Sequence, residues 1–462
     1  MEGALFAADA LLASGWARDV LFTWDDEGRL VSVAAGAKPG AAARAPGPVV
    51  PGMANVHSHA FQRAMAGLAE ARGHPEDDFW TWREAMYRLV AAVGPEDLEA
   101  IALQLQVEML RHGYTAVGEF HYLHHDRDGT PYGDRAELSE RIVAAARASG
   151  IALTLLPVLY AWGGFGHRPL SAAQRRFAGT PETIAELLRT LAARHLPDPR
   201  LRFGAAPHSA RAVDALQLTE LVAALDGFDA TAPIHMHVSE QPAEVRDCLA
   251  THGATPGHWL MDIVAVDGRW CLVHGTHLDA GEAARLRAAG ATLGLCPTTE
   301  ANLGDGLFAF DRHFAEGGRW GIGGDSHVCV SPFEELRALE YGQRLRLGVR
   351  NVAATDAAPE VATNLWAGAA RGGALALGQP AGVLEPGRRA DLVALDGGDL
   401  DFEGLAPAGA LAVATFSGAS NRIRDVYVAG ERVVAEGRHA RAEEAARAFR
   451  ATLKRLRERR TA

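Results

Sequence analysis

Four short segments of the chain carry side chains suited to binding a cation or moving a proton. Asn55-Val56-His57-Ser58-His59 holds two imidazoles two residues apart, and His235-Met236-His237-Val238-Ser239-Glu240 holds another such pair followed by a carboxylate. Val273-His274-Gly275 adds a single imidazole, and Gly323-Gly324-Asp325-Ser326-His327 adds a carboxylate with an imidazole. In an extended strand, residues two apart share a face and lie about 7 Å apart along the backbone, so His57 and His59 can grip one cation. Imidazoles and a carboxylate that leave one coordination position open are the donors of a catalytic zinc site or a related divalent metal site. A lone His-x-His pair is more often a surface feature than a ligand pair. Here, however, His or Asp recurs where three further apolar runs end, and structural histidines have no reason to gather in that way. His235 and His237 share a face, so periodicity does not choose between them; His237 is favoured because it lies nearer the end of its run, with Glu240 just beyond it. His121, His124 and His125 are as compatible with a supporting or solvent-facing role as with ligation.

The elements that must position these groups follow from periodicity. Short apolar runs are expected as strands at Met53–Val56, Thr115–Phe120, Ala152–Val158, Leu201–Ala206, Pro233–Val238, Trp270–Val273, Thr292–Leu295 and Trp320–Gly323. Stretches rich in Ala, Leu, Glu and Arg between them, such as Pro95–Arg111, Ala136–Ala148, Pro181–Arg194, Ala243–Thr251 and Ala280–Ala289, are expected as helices. Strand and helix in alternation give a parallel sheet, and eight such units without a glycine-rich phosphate loop after the first strand fit a (β/α)8 barrel better than an open doubly wound sheet. In such a barrel the residues closing each strand form the active-site rim. Asp19–Ala35 reads as a hairpin, and Ala390–Asp396 with Ile423–Gly437 as further strands. The expected organisation is a small β-sandwich domain built from residues 1–52 and 384–440, a barrel from 53–383, and a C-terminal helix over 441–462.

Composition agrees with a large globular protein. The chain has 462 residues, 48% hydrophobic and 22% charged, with a formal net charge of −11. That balance lacks the cationic excess that nucleic acid or an anionic membrane surface would require. No uncharged apolar run reaches the roughly 18 residues of a membrane-spanning helix. Asp9 interrupts what could have been a signal core, so a cytoplasmic location is expected. Cys248, Cys271, Cys296 and Cys329 form no CxxC pattern and read as reduced core thiols.

PGMANVHSHAFQRAM, the HxxE of His237–Glu240, and the strand ends at His274 and Asp325 resemble the amidohydrolase superfamily in its mononuclear aminohydrolase branch. The resemblance extends to the terminal RRADLVALD segment. Within that branch FHYLHH (Phe120–His125), PHSAR (Pro207–Arg211), TEANLGDG (Thr299–Gly306) and the segment beginning GGDSHVCV at Gly323 are similar to the N-formimino-L-glutamate deiminase family of histidine degradation. The resemblance implies one divalent ion per chain, zinc by type, held by His57, His59, His237 and Asp325, and a homodimer. It implies Glu240 as the acid that protonates departing ammonia, with His274 and Asp325 sharing the proton of the attacking water. It implies a small dicarboxylate substrate contacted by Gln62, Arg83, Tyr122, His208 and Arg211; replacement of Arg211 is expected to leave folding intact. Independently of any family, the only lysines are Lys38 and Lys454, both outside the barrel run, so no carboxylated lysine can bridge two metals. Glu119 is the one carboxylate that could, and a supporting role suits it better. The second reading is another mononuclear aminohydrolase acting on a purine, pterin or guanidino compound, and the third is a barrel scaffold without catalysis.

Overall fold

The computed structural model describes residues 3–71, 79–418 and 420–461. Met1, Glu2, residues 72–78, Ala419 and Ala462 of the expected organisation lie outside them.

Two sheets organise the chain. The parallel sheet runs through Met53–Ser58, Tyr114–His121, Ala152–Leu159, Leu201–Phe203, Ala206–Pro207, Ile234–Val238, Trp270–His274, Thr292–Leu295 and Arg319–Ile322. The first of these strands pairs with both the last and the second. Bridges Ala205↔Ile234 and Ser209↔His237 close the ring on the other side. The result is a (β/α)8 barrel. Helices Pro95–Arg111 and Ala280–Ala289 form over the spans expected from their composition, the latter capped by Asp279 accepting from Gly281 N and Glu282 N at 2.7 and 2.8 Å.

The fourth strand differs from expectation by breaking after Phe203. Gly204 sits there because a Cβ would lie 2.2 Å from the Pro233 carbonyl. The break lets Leu201–Phe203 pair back to the third strand while Ala205 N donates to Pro233 O at 3.1 Å, which carries the sheet across its closing seam.

The end of the barrel where the strands start is stoppered by the helix Val361–Ala376 and the turn after it. Trp366 Nε1 donates to Pro51 O at 2.9 Å, and Thr154 Oγ1 donates to Leu377 O at 2.8 Å. Gly372 passes so close that a Cβ would lie 1.8 Å from Trp320 O. Only a glycine admits that approach. With the floor sealed, the strand ends at the opposite rim are the open face.

The second sheet takes strands from both termini: Gly3–Leu12, Gly15–Trp24, Leu30–Ala34, Ala43–Arg44 and Val49–Pro51 join Leu392–Leu395, Ile423–Val428, Glu431–Ala435 and Arg438–His439. Its two wings fold onto one core holding Leu5, Phe22, Leu30, Leu392 and Tyr427, with Trp24 at 6.1 Å from Tyr427. Gly3–Leu12 is the longest of the strands that periodicity did not anticipate, with the short Ala43–Arg44 and Val49–Pro51 beside it. The C-terminal helix Ala442–Thr461 docks on Pro95–Arg111, where Asp97 accepts from Arg455 at 2.7 Å and Arg459 at 3.1 Å. Among the described residues no helix is long and apolar enough to cross a membrane.

Candidate metal centre and active site

The rim gathers five side chains from four strands. His57 and His59 come from the end of the first, His237 from the fifth, His274 from the sixth, and Asp325 from the turn after the eighth. Their Nε2 atoms converge: His57 lies 3.2 Å from His59 and 3.0 Å from His237. Asp325 Oδ1 lies 3.5 Å from His57 Nε2 and 3.4 Å from His59 Nε2.

A proton on His57 Nε2 could be directed at only one of these two neighbours, so hydrogen bonding does not account for both short separations. His59 Nδ1 is 3.0 Å from Phe120 O and His237 Nδ1 is 3.1 Å from His208 O, and a carbonyl only accepts. Both rings therefore carry their proton on Nδ1 and aim an Nε2 lone pair inward, as metal-ligating histidines do. A tetrahedral site with donors about 2.0–2.1 Å from the ion has edges of about 3.3 Å. The four observed edges bracket that value, so the donor set fits a zinc-like divalent ion. Burial depresses all three imidazoles, His59 to about 3, which keeps their lone pairs available.

His235 does not join this set. It lies deep in the barrel, where its Nε2 donates to Ala376 O at 2.7 Å. The floor helix claims it, and the choice between the two histidines is made by what lies below the strand. His121, His124 and His125 also stay apart, with His124 Nε2 and His125 Nε2 held by Val158 O at 2.9 Å and Ala178 O at 2.8 Å. Glu119 braces the ligand segment from behind: it accepts from Ser58 Oγ at 2.5 Å and from Ala60 N at 2.8 Å, and burial pushes its pKa up to about 8. Lys38 and Lys454 are solvent-exposed.

His274 stands beside the cluster, its Nε2 3.8 Å from Glu240 Oε1 and 3.9 Å from Asp325 Oδ2. Behind it, Nδ1 is held by Glu300 at 3.2 Å, and the same carboxylate oxygen accepts from Cys296 N at 2.8 Å. Burial opposes a charge on His274, yet Glu240, Glu300 and Asp325 together raise its pKa to about 10. Glu240 is itself raised by burial, with His274 and Arg211 pulling the other way. Ser239, His274 and Asp325 all have positive φ, 54°, 68° and 47°. Such non-glycine strain concentrates where a fold must turn particular side chains toward a site.

One cavity covers this rim, with an empty volume of about 530 Å³. His59, His237, Asp325 and Glu240 line it together with Gln62, Arg83, Tyr122, His208 and Arg211, and His57 lies behind them. Every side chain the sequence nominated as a substrate contact is thus on one surface. Gln62 Nε2 donates to Tyr122 Oη at 2.9 Å and leaves its Oε1 unpartnered, and Arg83 lies 5.5 Å over the Tyr87 ring. Arg211 Nη1 is 3.3 Å from Glu244 Oε1, a buried partner the sequence did not suggest. Removing Arg211 would strand that carboxylate, so the expectation that folding ignores this residue is revised. Glu244 and Glu300 were overlooked because each stands in a helical segment, where a glutamate is ordinarily a surface residue. Capping geometry is the only local signal that could have found them.

The amidohydrolase family model matches residues 49–433, and a model described as the formimidoylglutamate deiminase HutF N-terminal domain matches residues 2–46. A formimidoylglutamate deiminase of Pseudomonas aeruginosa is 53% identical over 96% of this chain and 98% of that protein. A 5-methylthioadenosine/S-adenosylhomocysteine deaminase of Natronomonas pharaonis is 28% identical over 85% of this chain and 82% of its own length. Among solved structures, an amidohydrolase from Brucella melitensis superposes with a TM-score of 0.93 at 44% identity, covering 98% of this chain and 99% of that one. An adenosine deaminase from Xanthomonas campestris with bound zinc reaches 0.79 at 22% identity, covering 99% and 98%, which speaks to the fold alone.

Proposed function

Because this chain belongs to the amidohydrolase family, we propose that it is a formimidoylglutamate deiminase, hydrolysing N-formimino-L-glutamate to N-formyl-L-glutamate and ammonia in histidine degradation. The observation that carries the reading is one cavity lined by three of the four cation-site donors, the buried Glu240 and two arginines. One divalent ion per chain, zinc by its donors, is assigned to His57, His59, His237 and Asp325. When bound, such an ion supplies a Lewis acid that makes water nucleophilic at neutral pH.

The remaining chemistry belongs to the chain. Water adds to the formimino carbon and Asp325 takes up its proton, while His274, whose Nε2 lies 3.9 Å from that carboxylate and which the surrounding carboxylates keep protonated, steadies the charge on it. Glu240, raised in pKa by burial, delivers a proton to the departing nitrogen, so that ammonia leaves as the carbonyl forms. Glu300 holds His274 by Nδ1 and fixes which ring edge faces the reaction. Arg211 and Arg83 pair with the two carboxylates, a task suited to the planar guanidinium fork. Gln62, Tyr122 and His208 contribute hydrogen bonds around the chain of the substrate. The reading includes a homodimer, supported by family resemblance alone, and the cytoplasmic location expected from the sequence.

The test is ammonia release from N-formimino-L-glutamate, guanidino-glutarate, guanine and adenosine, assayed side by side. Turnover confined to the formimino dicarboxylate is expected. Preference for guanine or adenosine would move the protein to another branch of the aminohydrolases.

A further inference from the structure

Glu244 lies in the first turn of the helix Pro242–His252, with its side chain wholly shielded from solvent. A glutamate at that position of a helix commonly reaches back to a backbone N–H as a cap. Glu244 does so with one oxygen: Oε2 accepts from Glu240 N at 3.0 Å, holding the turn in which Ser239 has φ of 54°. Capping leaves the other oxygen unexplained. Oε1 lies 3.3 Å from Arg211 Nη1, and neither atom makes a hydrogen bond. Arg211 Nε is likewise buried without a partner. The guanidinium is therefore held by charge and not by matched hydrogen bonds, which leaves N–H groups for an incoming acceptor on the cavity wall. Burial opposes the charge on Arg211, and Glu244, with Glu240, overcomes it.

We propose that Glu244 is a positioning residue that ties the substrate-carboxylate contact at Arg211 to the placement of the acid Glu240. This rests on the dicarboxylate reading of the cavity. A shift of the guanidinium toward a bound carboxylate changes the pull on Oε1, and the same side chain transmits that change through Oε2 to the backbone that aims Glu240. The charge on Glu244 governs how Arg211 is presented, and its Oε2 contact governs where Glu240 stands. The two roles separate by substitution.

Glu244→Gln retains an oxygen for Glu240 N and removes the charge facing Arg211. KM for N-formimino-L-glutamate should rise by about tenfold or more with kcat changed less than about threefold. In an Arg211→Met background the same substitution should change KM less than about twofold, because its effect passes through the arginine. Should Glu244→Gln alone fail to fold, Arg211→Met/Glu244→Gln and Arg211→Met/Glu244→Met leave no lone buried charge and can be compared directly. The second lacks the tie to Glu240 N, and its kcat should be about fivefold or more below that of the first. A parental KM in Glu244→Gln, an undiminished KM effect in the Arg211→Met background, or equal kcat in the two double variants would reduce Glu244 to a helix cap and overturn the proposal. If the parent enzyme itself releases no ammonia from N-formimino-L-glutamate, the functional reading has failed instead, and the two failures are told apart by that first assay.

Discussion

Replacing Glu240 by Gln isolates proton delivery from every other function of the rim. The amide matches the carboxylate in size, and the backbone N–H at position 240 still donates to Glu244, now 3.0 Å away, so the turn keeps its anchor. None of the four donors of the cation site is touched. What disappears is a group able to hand a proton to the leaving nitrogen. The Glu240 side chain is only 6% exposed, so bulk water is poorly placed to stand in, and the next proton carrier, His274 Nε2, is 3.8 Å from it. General acid catalysis contributes about 10²–10⁴-fold, and a site this enclosed should lie in the upper part of that range. At about 1.36 kcal/mol per decade, a loss of about 10³–10⁴-fold is about 4–5.5 kcal/mol of barrier. The assay is ammonia release at saturating N-formimino-L-glutamate, with elemental analysis of the same preparation and a thermal melt. A kcat within about tenfold of the parent, in protein that retains its metal, would refute Glu240 as the acid and shift that task to His274 or Asp325.

Three further outcomes follow from the same structure. Elemental analysis should find about one divalent ion per chain, and a chelator should abolish activity and lower Tm together, because an ion bound only by the folded state stabilises it by about 4 kcal/mol at a thousandfold excess over Kd; two tightly held ions would overturn the single site. Gly372→Ala would place a Cβ 1.8 Å from Trp320 O, and overpacking of about 1–3 kcal/mol or more should lower Tm by about 1 °C per kcal/mol in a chain of this length, so an unchanged melt would mean that the floor helix yields. Asp97 is partly opposed by burial, but its hydrogen bonds from Arg455 and Gly94 N outweigh this and hold its pKa below the usual value. Its contribution is therefore present above about pH 4 and lost as pH falls through the lower folded value; Asp97→Asn should cost about 1–3 kcal/mol at pH 7, with a difference from the parent that closes in acid, and a pH-independent difference would reject the ion-pair origin.

What the sequence determined by itself was whatever repeats along the chain. Apolar runs alternating with Ala- and Leu-rich stretches specify strands and helices through short-range preferences, and the spans Pro95–Arg111 and Thr292–Leu295 formed as periodicity required. Because strand direction in a parallel barrel sends every C-terminal strand end to the same rim, His57, His59, His274 and Asp325 could be nominated together before any distance was known. Gly3–Leu12 escaped because its Ala- and Leu-rich composition favours helix locally; it is a strand because Gly15–Trp24 and Val49–Pro51 flank it and supply its ladder partners. The same limit applies at the site. His235 and His237 are equivalent to a period-two pattern, and only the floor helix, whose Ala376 carbonyl takes His235, and the His57 ring, 180 residues away in sequence, separate them. Glu300 behind His274 and Glu244 behind Arg211 are ordinary helical glutamates until folding buries them. A buried charge must find its partner across space, and that partner is fixed by which rims and helix ends the closed barrel brings together, a property of the assembled chain that no local stretch of it carries.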